Sequence, residues 1–299
     1  MFAFSRSIVV AASLAALSAS ITYAQELVIK DGQRLAFLGD SITQFGMETQ
    51  SGYCRLVISG LQANGLKIQP IGAGISGNTS KDMIGRIDRD VISKKPDIMT
   101  LSCGVNDVWH GKSGVDLETY KKNITDIIDK AQAVQIKVIV LASTMIMEDA
   151  SNDNNKKLAE YNNFLRDLAK EKGCPFVDLN TDMQAAVKAN GGGDPKHFPV
   201  VTVDGVHMNP IGNRMMASGV LRALGLNDDQ IAKAEQTWLD VPAACKADAR
   251  GWLTIRQWDR INAIAAKQNQ PVNHLLNEVY SKAIDAYLAS SAAQPVAAK

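Results

Sequence analysis

Five short apolar runs, separated by helical stretches, constrain the fold of this chain more than any other feature. Arg34 to Gly39, Ile68 to Gly72, Ile98 to Cys103, Val138 to Ala142 and Phe176 to Leu179 lack polar alternation. They read as strands covered on both faces. A shorter run, Leu27 to Lys30, also reads as a strand and ends in the turn signal Asp31-Gly32. Helical stretches fill the gaps: Gly52 to Ala63, Asp116 to Val134, Asn154 to Glu171 and Asn209 to Leu224. In the third of these, Leu158, Tyr161, Leu165 and Leu168 recur at helical spacing. Strands alternating with helices predict an α/β fold, a parallel sheet with helices on both faces. Its crossovers are expected to be right-handed. Ligands bind such sheets outside the carboxyl ends of the strands, so the residues just after each run are the first place to look for chemistry.

The two ends of the chain differ from this core. Arg6 precedes an apolar, Ala-rich run from Ile8 to Leu17, and small residues lead to Thr22-Tyr23-Ala24. A positive start, an apolar middle and a small-residue exit are the layout of a secretory signal peptide. The run is shorter than the ~20 residues that span a bilayer, so stable membrane insertion is not expected. Residues 1–24 are read as this signal, 25–240 as the α/β domain, and 241–299 as a helical extension. In the extension, Thr254 to Lys267 and Pro271 to Leu288 form two helices around Asn269-Gln270-Pro271, before a loose Ala/Ser/Pro-rich tail. The chain is expected to be exported, to the periplasm or beyond. The oligomeric state is left open.

Without residues 1–24 the chain carries 31 basic and 31 acidic residues. This balance, with scattered lysines, gives no basic stripe for nucleic acid or an anionic membrane surface. Cys54, Cys103, Cys174 and Cys245 permit three full pairings, among which sequence does not choose. Cys103 and Cys174 border core strands, where cysteine often behaves as a small apolar residue. No C-x-x-C spacing points to zinc or redox chemistry.

Four segments at strand ends carry candidate chemistry. The first strand ends in Gly39-Asp40-Ser41, where a serine stands in the place of a nucleophile or simply in a helix-capping turn. The second leads into Gly72-Ala73-Gly74-Ile75-Ser76-Gly77-Asn78, whose glycines can bring a backbone N–H close to a reacting oxygen, or form a turn. The third runs into Gly104-Val105-Asn106-Asp107, where the Asn106 amide can donate to an oxyanion or cap a helix. Before the last helix of the domain comes Asp204-Gly205-Val206-His207. An Asp three residues before a His can fix its tautomer and support an imidazolium. A surface pair is the plain alternative. A metal-ligand pair is poorly supported, because no further ligands complete a set.

In the order Ser, Gly, Asn, Asp-x-x-His, these segments resemble the SGNH hydrolases, also called the GDSL lipase/esterase family. Gly-Asp-Ser-Ile-Thr, Ser-Gly-Asn-Thr, Gly-Val-Asn-Asp and Asp-Gly-Val-His put Ser41, Gly77, Asn106 and His207 at the positions that name the family. The resemblance covers about Leu27 to Leu224. The family normally has Leu after Gly-Asp-Ser; here it is Ile42. A Gly-x-Ser-x-Gly elbow is missing, which argues against the ordinary α/β-hydrolase fold. The resemblance implies a flavodoxin-like three-layer α/β/α sandwich with a shallow site, and no metal or organic cofactor. It implies Ser41 as nucleophile, His207 as general base and acid, and Asp204 as the residue that orients His207. It also implies an oxyanion hole from the N–H groups of Ser41 and Gly77 and the Asn106 side chain.

Other residues near these segments are read on their own chemistry. Asp40, pointing away from Ser41, is expected to stabilise the turn, and Asp107 to be structural. Trp109 is a candidate wall of the substrate site. His197 is a candidate substrate contact, in the long loop Asn190 to Val203. His110 and His274 lie in no matching motif.

Export, neutral charge and the lack of a large lipid-binding segment favour a short-chain ester as substrate. An O-acetyl group on a carbohydrate fits best. A lysophospholipase or thioesterase of the same family is the alternative, and a non-catalytic binding module the remote one.

Overall fold

The computed structural model of the protein describes residues 27–192, 199–241, 255–268 and 270–291. The expected signal segment, residues 1–24, lies outside them. The described residues fall into two compact units that divide between Cys245 and Lys246.

The larger unit is built on five parallel strands: β1 (Arg34–Gly39), β2 (Gln69–Gly74), β3 (Ile98–Ser102), β4 (Lys137–Leu141) and β5 (Phe176–Val177). Their order across the sheet is β2-β1-β3-β4-β5. β1 pairs with β2 on one side and β3 on the other. The chain thus reverses its direction of travel across the sheet between β1 and β3. Such a switch point opens a crevice at the carboxyl ends of the strands. Five of the six β1 residues and all five of β3 are buried, as a strand covered on both faces requires.

Among the described residues of this unit, nine α-helices follow in chain order: α1 (Ser41–Glu48), α2 (Tyr53–Ala63), α3 (Ser80–Asp90), α4 (Val105–Trp109), α5 (Leu117–Ala133), α6 (Asp153–Glu171), α7 (Leu179–Ala189), α8 (Pro210–Ala223) and α9 (Asp228–Trp238). α5 packs against α3 and α6, while α8 packs against α2, α7 and α9. Together with the sheet they make the expected three layers. Polar caps begin most helices at the expected strand-to-helix turns. Asp116 accepts from Thr119 N–H to start α5, and Asn209 accepts from Ile211 N–H to start α8, with Pro210 as its first residue.

Three expectations are corrected. α8 is not the last helix of the domain, because α9 follows it. Leu27 to Lys30 is not a strand: Val28 N–H donates to Leu224 O beyond α8, and Ile29 is buried as a core plug. β5 stops at Val177 because Asp178 already caps α7, accepting from Thr181 N–H. The smaller unit is a pair of packed helices, α10 (Ile255–Lys267) and α11 (Val272–Ser291), with Ala265 and Leu275 buried. No helix among the described residues is long and apolar enough to cross a membrane.

Candidate active site

Ser41 is the first residue of α1, directly after β1 and at the switch point. As a first helical residue it has an N–H with no acceptor inside the helix. Asp40 precedes it as the cap of α1, its Oδ1 accepting from Ile42 N–H at 2.9 Å. Asp40 is 2% exposed. Burial pushes its carboxyl up to about 6, and neighbouring Asp107 pushes the same way, against the Ile42 N–H and His207. Asp40 therefore holds the turn.

His207 and Asp204 lie on a hairpin between residues 200 and 209. Thr202 and Met208 form an antiparallel bridge, and Val203 N–H donates to His207 O at 2.8 Å. Asp204 Oδ1 accepts from the N–H groups of Val206 and His207 at 3.0 and 2.8 Å. Its Oδ2 lies 2.6 Å from His207 Nδ1, and His207 Nε2 lies 2.9 Å from Ser41 Oγ. A carboxylate at Nδ1 makes that nitrogen the donor and leaves Nε2 to accept the serine proton. Partial burial disfavours the charge on Asp204, but the His207 ring and the two backbone N–H groups outweigh it and hold the carboxyl below its ordinary value. The fold thus joins Ser41, His207 and Asp204 in one hydrogen-bonded chain across 166 residues of sequence.

The other two expected groups stand on neighbouring loops. Gly77 is exposed, with φ of +78° and no atom within 4 Å of where a Cβ would stand. Its left-handed backbone, rather than lack of space, calls for glycine. Asn106 Nδ2 donates to Asn78 O at 3.0 Å, which aims the amide nitrogen at the Gly77 loop. The second hydrogen of that nitrogen remains for an oxyanion. Asp107 ties the same two loops together, accepting from Ser80 N–H at 2.9 Å. Trp109 ends α4, 42% exposed, and His110 follows it, also exposed. His274 is on α11 in the smaller unit. His197 lies outside the described residues.

Two further contributors are not among the residues expected from the sequence. The guanidinium of Arg86, nearly buried in α3, donates to Gly39 O and Ala73 O, both at 2.9 Å, and to Asn78 Oδ1 at 2.6 Å. It cross-ties the ends of β1 and β2 to the Gly77 loop. Phe45, one turn after Ser41, lays its half-exposed ring 5.0 Å from the His207 ring. Helical spacing from Ser41 was the one available hint for Phe45.

Cys54, Cys103 and Cys174 are free, and Cys245 lies outside the described residues. Burial pushes the thiols of Cys54 and Cys103 up, which leaves them unreactive. Among the described residues no group of three or more His, Cys, Asp or Glu is placed to hold a metal ion.

Comparison with known proteins places the chain among esterases. The chain is 28% identical to an acetylxylan esterase of Geobacillus stearothermophilus over 218 residues, 66% of this chain and 96% of that protein. It is 27% identical to the isoamyl acetate-hydrolyzing esterase 1 homolog of Rattus norvegicus, over 70% of this chain and 88% of that protein. The crystal structure of the acetyl xylan esterase AlAXEase superposes with a TM-score of 0.60 at 37% identity, covering 64% of this chain and 98% of that one. Residues 37–215 match the GDSL-like Lipase/Acylhydrolase family, and this span runs from β1 through the Ser41, Gly77, Asn106 and His207 loops into α8. The chain therefore belongs to the GDSL-like lipase/acylhydrolase family of carboxylic ester hydrolases.

Proposed function

We propose that this protein is an exported serine esterase that removes acetyl groups from a carbohydrate through an acyl-enzyme at Ser41. The observation that carries this reading is the chain Ser41 Oγ, His207 Nε2, His207 Nδ1, Asp204 Oδ2, with separations of 2.9 and 2.6 Å. Ser41 Oγ attacks the ester carbonyl as His207 Nε2 takes its proton. The oxyanion is met by the N–H groups of Ser41 and Gly77 and by Asn106 Nδ2. As the tetrahedral species collapses, the C–O bond to the alcohol breaks and His207 returns the proton to the leaving oxygen. A water activated by the same imidazole then releases the acid and restores Ser41. Asp204 stays ionised and stabilises the imidazolium in both half-reactions.

Two considerations favour acetyl. The names of the two relatives, an acetylxylan esterase and an isoamyl acetate-hydrolyzing esterase 1 homolog, share the acetyl group and differ in the alcohol. The half-exposed rings of Phe45 and Trp109 offer faces on which a sugar can stack. Export rests on the layout of residues 1–24.

The test is a comparison of acetyl release from acetylated xylo-oligosaccharides with hydrolysis of p-nitrophenyl acetate and palmitate. Acetyl substrates are expected to be turned over faster, and Ser41→Ala to abolish the reaction. Faster hydrolysis of palmitate would reassign the protein to the lysophospholipases and thioesterases of the family.

A further inference from the structure

The proposed mechanism requires His207 and Asp204 to stay in line with Ser41, yet both lie outside the helices and strands of the unit. One side chain from a distant loop grips the base of their hairpin. Glu148, beyond the end of β4, is 5% exposed. Its Oε2 accepts from Val200 N–H at 2.8 Å, and its Oε1 accepts from the N–H groups of Val201 and Thr202 at 3.0 and 2.7 Å. The Thr202 hydroxyl donates to the same Oε1. With its hydrogen so committed, Thr202 Oγ1 accepts from Gly205 N–H at 3.1 Å. The carboxylate thereby reaches, through one hydroxyl, the residue next to Asp204.

The backbone around Glu148 makes a second connection. Met147 N–H donates to Gly205 O at 2.7 Å. Met147 and Glu148 both have left-handed φ angles, +59° and +51°, a conformation that a Cβ disfavours. Strain of this kind persists where surrounding contacts demand it. Here it lets one loop present an N–H and a carboxylate to the same hairpin. Gly205 completes the fit: its φ is +93°, and a Cβ on it would stand 2.6 Å from Met147 Sδ.

We propose that Glu148 is a positioning residue for the acid–base pair, holding the hairpin so that His207 Nε2 reaches Ser41 Oγ. The inference rests on the proposed serine esterase mechanism. Glu148 touches no reacting atom; its oxygens are committed to the hairpin, and its effect on the reaction passes through the placement of His207.

The test compares Glu148→Gln, Glu148→Asp and Thr202→Val with wild type, well below the melting temperature of each. It reads kcat and KM on p-nitrophenyl acetate and the low-field proton NMR signal of His207 Nδ1–H. Glu148→Gln turns an amide toward donors that need an acceptor. It is expected to lower kcat about 10- to 100-fold, the scale of a catalytic group displaced by about 1 Å. KM is expected to stay within about threefold, because ground-state binding is not removed. The His207 signal is expected to shift upfield or broaden. Glu148→Asp, which keeps the charge, recovers part of kcat. Thr202→Val removes the hydroxyl link alone and lowers kcat less than Glu148→Gln.

Wild-type kcat with an unmoved His207 signal in Glu148→Gln, whatever its melting temperature, would give the clamp a merely structural role and overturn the proposal. If Glu148→Gln does not fold, wild-type kcat in Thr202→Val has the same force. Should wild type itself hydrolyse no ester, the serine esterase reading fails separately, and the His207 signal still reports on the clamp.

Discussion

Ser41 and His207 meet at 2.9 Å but are held in unlike ways. Ser41 stands where β1 runs into α1. β1 is paired on both sides, Asp40 caps the helix, and Arg86 binds the carbonyl of Gly39. His207 rides on a hairpin beside the sheet, with exposed Val203 and Asp204 at its tip. That hairpin is secured by Glu148, by the Met147 N–H and by Asn209, whose side chain donates to Val200 O at 2.9 Å. The Ser41 side is therefore expected to open only when the core opens, whereas the His207 side can shift locally. Damage near Ser41 should register first in stability, and damage near His207 first in turnover.

The largest effect tests whether the two sides act as one unit. Ser41→Ala and His207→Ala are each expected to lower kcat by roughly 10⁴- to 10⁶-fold, with the double variant no worse than either. Multiplying losses in steady-state kinetics would separate the two sides. Next is the third loop: Asn106→Ala removes one oxyanion donor and is expected to lower kcat about 10²- to 10³-fold. A KM effect alone would place Asn106 in ground-state binding.

Asp40 sharpens the comparison through pH. Its native carboxyl titrates at about 6 against an ordinary 3.8. The native state thus holds the proton more tightly than the unfolded state. Stability from this group is greatest below the ordinary value, falls as pH rises toward 6, and is then fully lost. The shift of about 2 units corresponds to about 3 kcal/mol. Asp40→Asn keeps an acceptor for Ile42 N–H and removes the titration. Denaturant unfolding at pH 4 and pH 7 should show the Asn variant gaining up to that amount relative to wild type. An equal difference at both pH values would contradict the assignment.

The smallest effects come from two glycines. A Cβ on Gly39 would stand 2.1 Å from Thr43 Oγ1 and 3.2 Å from Ser102 O. Gly39→Ala is expected to destabilise the fold by about 1–3 kcal/mol, an overpacking cost. Gly205→Ala meets a left-handed φ worth about 1–2 kcal/mol, which the hairpin relieves by shifting. It should lower kcat more than Gly39→Ala does and the melting temperature less. The opposite ranking, from thermal unfolding and p-nitrophenyl acetate kinetics, would break the comparison.

The same contrast explains what could be read from sequence. β1 matches its expected bounds because a strand buried on both faces leaves an uninterrupted apolar run. The helix α9 is not among the expected helices, although its capping pair, Asn227 and Gln230, and the buried Ile231, Ala234 and Trp238 follow a helical pattern. Ser41, Gly77 and Asn106 were legible because each sits just past a strand, and Asp204 and His207 because their partnership spans three residues. Arg86 and Glu148 were not. Arg86 reaches Gly39 across 47 residues, and Glu148 reaches Val200 to Thr202 across 52 to 54. Contacts at such separations leave no period in the chain, and a lone Arg or Glu in a polar stretch looks like any solvated charge.

The most direct test of the account is to catch the acyl-enzyme. Wild-type protein turning over p-nitrophenyl acetate would be quenched in acid, digested, and its peptides mapped by mass. One acetyl group is expected on the peptide holding Ser41, localised to that residue, and none in Ser41→Ala. Turnover with no acyl group on Ser41, or activity near the wild-type level in Ser41→Ala, would contradict the account.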